Sequence, residues 1–256
     1  MPNIDHLSYS SISSYLLCAR AWKYRYVDKA HAPTAPALLF GSAFHDATEA
    51  YMLDKGGSAP LNHWAAAWGR TLENPRNADV DWGMDVPAEI EADGPRMLGA
   101  KKVVDHLADI KARGVREVEK RVELRVPGVP VPIIGYIDLI TTDGVPGDFK
   151  TAARMWADAK AEEELQPLFY LAALNQQGIE TPGWTFRHYV YAKGKDPYGK
   201  TFEVQHSPMA LFGLFELIQS TWEAISANAY PMNGVGSWKC GPKYCEWWPQ
   251  CRGKWA

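Results

Sequence analysis

No apolar run in this 256-residue chain approaches the roughly 20 residues needed to cross a bilayer. The first residues, MPNIDHLSYSSISSYLLCARAWKYRYV, lack a basic start followed by a long apolar core, so they do not read as a secretory signal. The expected compartment is therefore the cytoplasm. Positive charge is not in excess either: 27 Lys and Arg stand against 30 Asp and Glu, a net charge of −3. That excludes a globally basic nucleic-acid binder and leaves only local patches for such contacts. Cysteines number only four, and disulfides are uncommon in the expected compartment. Internal repeats and low-complexity stretches are absent.

What is there is ordinary globular material, 46% hydrophobic and 22% charged, long enough to bury a full core. Residues 8–27 pattern as one helix capped by Ser8 or Ser10, with Ile12, Tyr15, Leu16 and Ala19 as its apolar stripe. Further helices are expected over 39–53, 64–72 and, as one long element, 89–113. Residues 73–87 read as an exposed insertion. A strand is expected over 115–126 and a helix over 157–177, broken near Leu165–Gln166 by Pro167. A strand pair follows over 184–192 and 200–205, then a helix over 208–227, and an irregular tail from residue 230. The predicted class is α/β, with a mixed sheet between helices.

The chemistry concentrates in residues 133–151, IIGYIDLITTDGVPGDFKT. Two strand-like stretches flank a turn at Asp143-Gly144. Residues two apart in a strand share a face, so Asp148 and Lys150 point the same way, and the hairpin can bring Asp138 beside them. Asp138 lies inside an apolar run, where a lone carboxylate would be costly to bury unpaired. Two carboxylates and an ammonium at one point suit a divalent cation and an attacked phosphate.

The cysteines form one pattern, Cys18 near the start and then Cys240, Cys245 and Cys251. Four thiolates suit a [4Fe–4S] cluster or a closed Zn site, with two disulfides as a third option. Around them basic and aromatic residues alternate: Arg20, Trp22, Lys23, Tyr24, Arg25 and Tyr26, then Lys243, Tyr244, Trp247, Trp248, Arg252 and Lys254. Such mixtures can stack bases and contact phosphates along a single strand.

Taken in order, SYSSISSYLLCARAWKYRYV, FGSAFHDATEAY, GYIDLI, GDFKT, ELQPLFYLAAL and the C-terminal cysteines make the chain resemble the RecB-type PD-(D/E)xK nucleases. The likeness extends to their iron–sulfur branch, which includes CRISPR-adaptation nucleases and phage RecB-like exonucleases. The resemblance implies a restriction-endonuclease-like fold, a central mixed sheet flanked by helices, in a single domain spanning 1–256. It implies that helix 8–27 and tail 230–256 are joined by the four-cysteine site. It implies metal-dependent cleavage of DNA phosphodiesters on single strands or DNA ends, in a bacterial or phage-infected cytoplasm, with roles in recombination or repair.

By the same resemblance, His45, Asp138, Asp148 and the Phe149 carbonyl are the ligands of Mn²⁺ or Mg²⁺. Lys150 is catalytic with Asp138 and Asp148, and Gln166 and Tyr170 form a Q-x-x-x-Y motif beside the metal or phosphate. Glu49 shares a helical face with His45 and could orient it or reach a second metal; Thr151 could add a phosphate contact. Cys18, Cys240, Cys245 and Cys251 would hold the cluster, although four residues, GPKY, separate Cys240 from Cys245 where the branch has a tighter C-x-x-C. A second expectation is a cluster-bearing DNA-binding module of a recombination or CRISPR-adaptation complex, with little or no cleavage. The oligomeric state is not legible.

Overall fold

Serines begin the first helix. Ser8 Oγ accepts the Ser11 N–H while Ser11 Oγ accepts the Ser8 N–H, a capping box built from two serines. The computed structural model describes residues 3–234 and 236–255. In chain order its elements begin with β1 (Leu7–Ser8), α1 (Tyr9–Leu17), α2 (Ala19–Trp22), α3 (Pro36–Leu53), α4 (Trp64–Glu73), α5 (Pro87–Leu98) and α6 (Lys101–Ala112). They continue with β2 (Val115–Leu124), β3 (Ile133–Thr141), β4 (Pro146–Ala152), α7 (Asp158–Glu163), α8 (Gln166–Gln176), β5 (Thr185–Ala192), β6 (Tyr198–Gln205) and α9 (Ala210–Ser226).

Two expected helices are divided. Cys18 takes an extended conformation (φ −163°, ψ 104°) and separates α1 from α2; a π-helical turn, Lys23–Val27, then follows α2. The long helix expected over 89–113 breaks between α5 and α6. Pro95 sits inside α5 and lacks an N–H, and Ala100 is extended at the N-cap of α6. Gly114, at φ +82°, stops α6 where a Cβ would stand 2.7 Å from Thr142.

The fold is α/β, with a mixed sheet flanked by helices. Strand order is β1-β3-β4-β5-β6, with β2 also on β3. β3–β4 and β5–β6 are antiparallel, and β1–β3 and β4–β5 parallel. The chain divides into two compact units. One comprises Met1–Pro33, Glu123–Gly135 and Met209–Ala256, and the other Thr34–Val122 and Tyr136–Pro208.

In the second unit, alternation along the strands separates two chemistries. Leu139, Phe149, Tyr189 and Tyr191 join α3 to α6 in the core, packing on Phe40, Phe44, Trp64 and Leu107. Asp148 and Lys150, of opposite parity, lie in register with His188 and Val190 of β5, and α8 approaches on their side through Gln166. In the first unit Trp22 is buried between Tyr15, Tyr26 and Tyr230, with Tyr230 stacked on it at 5.8 Å.

His106 pins α6 to two strands. Its Nδ1 is 3.1 Å from the Tyr191 hydroxyl and its Nε2 2.8 Å from Thr201 Oγ1. Burial lowers its pKa to about 4, opposed by Asp109 and assisted by Arg113. The unfolded chain, with an ordinary histidine near 6.5, therefore takes the proton first, and stability falls as pH drops from about 6.5 toward 4. His106→Gln should reduce that acid loss by about 2 kcal/mol between pH 7 and 4.5, measured by denaturant unfolding at both values. An identical pH dependence in the variant would remove His106 from the account.

Candidate active site

The turn at Asp143-Gly144 closes the β3–β4 hairpin: Asp143 Oδ1 accepts from the Val145 N–H and the Thr141 hydroxyl, and Gly144 takes φ +82°. This folds Asp138 against β4, where its Oδ2 accepts the Phe149 N–H at 2.7 Å. His45, on α3, places Nδ1 3.4 Å from the same oxygen. Asp148 is 2% exposed. Its Oδ1 accepts from Gln166 Nε2 at 2.9 Å, and its Oδ2 forms an ion pair with the Lys150 ammonium at 2.6 Å. Gln166 Nε2 also lies 3.1 Å from the Tyr170 hydroxyl, which donates to the Tyr136 carbonyl at 2.6 Å. Pro167, one residue into α8, presets that helix start, so Gln166 and Tyr170 stand one turn apart on the side facing Asp148.

The electrostatics follow from crowding two carboxylates in a nearly dry place. Burial and the Asp148 charge raise the Asp138 carboxyl well above the ordinary range, against the Phe149 N–H and Lys150. Desolvation pulls Lys150 down, but Asp148 in contact, with Asp138 and Glu164, outweighs it and raises its pKa, so the ammonium stays charged. Burial lowers His45 to about 4, opposed by Asp148 and by the Phe149 main chain, so the ring is neutral and has a lone pair to give. Burial and the Asp148 charge raise Tyr170, which remains a phenol.

All seven residues singled out for catalysis or metal binding thus meet within the second unit. Glu49 lies one turn beyond His45, its carboxyl raised by burial and by Asp46. Thr151 has the opposite strand parity, beside Gly41 of α3. Among the described residues no three His, Cys, Asp or Glu side chains stand at distances that would already hold a metal. The donor chemistry fits a divalent cation nonetheless. Two carboxylates and a neutral imidazole face a single ammonium, which leaves the donor set with more negative charge than Lys150 alone offsets.

Two neighbours escaped the sequence. Glu119 takes φ +47° inside β2, and its carboxyl is raised by burial and by Glu49, Asp148 and Asp46. His188 is fully buried in register with Asp148, with no hydrogen bond to either ring nitrogen. Its place depends on a pairing register that one strand's sequence does not carry.

Residues 6–252 match the PD-(D/E)XK nuclease superfamily. The chain belongs to the PD-(D/E)XK nuclease superfamily. The fold agrees with that of a candidate exonuclease from Eubacterium rectale, with a TM-score of 0.59 at 9% identity over 90% of this chain and 85% of that one. A second structure, SSO0001, gives a TM-score of 0.37 at 16% identity over 95% and 96% of the two chains, too low to support an argument. No curated protein matches. Membership makes the chain a nuclease by family and DNA the substrate the family implies. Among the described residues no helix is long and apolar enough to cross a membrane.

The cysteine expectation needs correction. Cys18, Cys240, Cys245 and Cys251 are free thiols, and they are not gathered into a four-ligand set. They line one cavity of the first unit, whose wall also includes Arg20, Tyr24, Trp247 and Arg252. The Arg252 guanidinium donates to Cys240 Sγ at 3.0 Å and to the Asn233 carbonyl, holding that thiol to its own wall.

The basic–aromatic patches of this nuclease are also mostly structural. Arg20 donates to the Tyr230 carbonyl, Lys23 pairs with Asp28, and Arg25 pairs with Glu246. Trp22 and Trp247 are buried, and Tyr24 packs against Trp247.

Proposed function

We propose that this chain is a metal-dependent deoxyribonuclease that hydrolyses phosphodiester bonds of single strands or DNA ends, from one nuclease domain spanning 1–256. The observation that carries the reading is the meeting of His45, Asp138, Asp148, Lys150, Gln166 and Tyr170 around one point. His45, Asp138, Asp148 and the Phe149 carbonyl would hold Mn²⁺ or Mg²⁺, which supplies a bound water of lowered pKa and Lewis acidity at the phosphate. Lys150 stands where its charge can offset the negative charge that grows on the phosphoryl oxygens as the water oxygen attacks phosphorus and the P–O bond breaks. The Phe149 N–H fixes the orientation of Asp138, and Gln166, braced by Tyr170, fixes that of Asp148.

End-labelled single-stranded and duplex DNA should lose label with Mn²⁺ or Mg²⁺ and keep it in EDTA. A protein that binds DNA but cleaves no substrate with any divalent cation would replace this reading with that of a binding module in a recombination or CRISPR-adaptation complex.

A further inference from the structure

The first unit leaves two large aromatic rings outside while burying their neighbours. Trp238 is 68% exposed and Tyr244 50% exposed, whereas Trp247 of the same tail is 2% exposed. The two rings lie edge to face, with centroids 5.9 Å apart at 73°. They are carried on a hydrogen-bonded run of turns: Cys240 N–H to the Ser237 carbonyl, then Tyr244 and Cys245 N–H to the Gly241 carbonyl. Lys243 places its ammonium 5.5 Å from the Tyr244 centroid.

Charge is distributed to match. Residues 236–254 hold Lys239, Lys243, Arg252 and Lys254 against one acid, Glu246, which Arg25 neutralises at 2.7 Å. The first unit as a whole has nine Lys and Arg against six Asp and Glu, a net +3, and the second has eighteen against twenty-four, a net −6. The cationic surplus thus lies in the unit that carries the exposed rings, hidden within an overall charge of −3.

From this juxtaposition we propose that Trp238, Tyr244 and Lys243 form a landing surface for unpaired nucleotides of single-stranded DNA. Rings stack on bases of any identity while nearby ammonium groups meet the phosphates, and turns that are already formed leave little to order on binding. Duplex DNA, whose bases are stacked on one another, presents no free π-face to these rings. A protein partner is the weaker occupant, because Lys243 stands beside the Tyr244 ring and residues 236–254 carry four cations against one acid, whereas the core of a protein interface is depleted of charge. The proposal deepens the nuclease reading and takes the identity of the nucleic acid from it.

The test is binding in EDTA, where no cleavage can occur. The probe is a fluorescent oligothymidylate of about 20 nucleotides, longer than one ~4–16-nucleotide site. Trp238→Ala and Tyr244→Ala should each weaken binding about tenfold, and Trp238→Phe should restore most of the loss. Lys243→Gln should weaken it less and flatten its salt dependence. A duplex of equal length should bind with little change among these variants. Unchanged affinity in the folded double variant, equal losses on duplex, or a tighter ring-dependent grip on RNA than on DNA would each overturn the proposal. Ring-dependent binding by a protein that never cleaves would sink the nuclease reading and leave this surface standing. Cleavage with no ring dependence would do the reverse.

Discussion

Asp138→Asn should lose DNA cleavage by a factor of about 10³ or more and yet be no less stable than the native chain in chelator. The two halves of this expectation have one cause. Asp138 and Asp148 share a nearly dry site with one ammonium, and burial together with the Asp148 field raises the Asp138 carboxyl well above its ordinary range. The folded state therefore disfavours the charge at neutral pH, and an asparagine of the same shape is relieved of it. The amide oxygen still accepts the Phe149 N–H, so the hairpin keeps its cross-link. What disappears is the second carboxylate, and with it the negative field a divalent cation needs; single electrostatic groups at such sites carry about 10²–10³ of rate, and loss of a metal ligand carries more. Cleavage within tenfold of native at saturating Mn²⁺ would remove Asp138 from the machinery. A melting temperature several degrees below native in EDTA would show that its charge is supported by contacts other than those described.

Gly94→Ala should destabilise the chain by about 3 kcal/mol, at the upper end of what overpacking one methyl produces. Gly94 lies inside α5, and a Cβ there would stand 2.0 to 2.3 Å from three ring atoms of Trp64. That ring cannot step aside: it is 3% exposed, stacked on Trp68 at 5.4 Å and packed on Phe40 at 5.5 Å. Helix propensity favours alanine by up to ~1 kcal/mol and is overruled by the clash. Gly213 in α9 is the control, because nothing lies within 4 Å of its Cβ position. Gly213→Ala should stabilise by about 0.5–1 kcal/mol. Thermal melts of the two variants should therefore move in opposite directions, and equal shifts would refute the packing argument.

These two glycines show what one-dimensional pattern carries and what it does not. The β3–β4 hairpin was legible because strand parity and an Asp-Gly turn are local, and both survive folding: Asp148 and Lys150 do share a face. The start of α8 at Gln166 was legible because Pro167 acts on its own backbone. The division of residues 8–27 at Cys18, and of 89–113 at Gly99-Ala100, was hidden because the apolar stripe continues across both breaks. The basic residues near Cys18 read as a nucleic-acid patch because alternation says nothing of partners. Arg20, Lys23 and Arg25 are held by the Tyr230 carbonyl, Asp28 and Glu246. Trp238 passed unremarked because burial and exposure of a tail aromatic are decided by tertiary packing. The cysteine spacing suggested a common destination, yet not that Arg252 would hold one thiol to the wall of the cavity.

The π-helical turn after α2 acts as a phase shifter. An ordinary helix advances about 100° per residue, so one inserted residue rotates everything beyond it by that angle unless the turn widens to absorb it. Here the widened turn is closed by the Asp28 N–H on the Lys23 carbonyl, five residues back. It lets Trp22, stacked on Tyr230, keep Tyr26 on its other side while Tyr24, between them in sequence, faces Trp247 and the thiol-lined cavity. Length in this stretch is thus a form of information distinct from residue type. Deleting one residue from Lys23–Val27 would change no residue beyond the segment and yet set the aromatic cage and the cavity wall out of step.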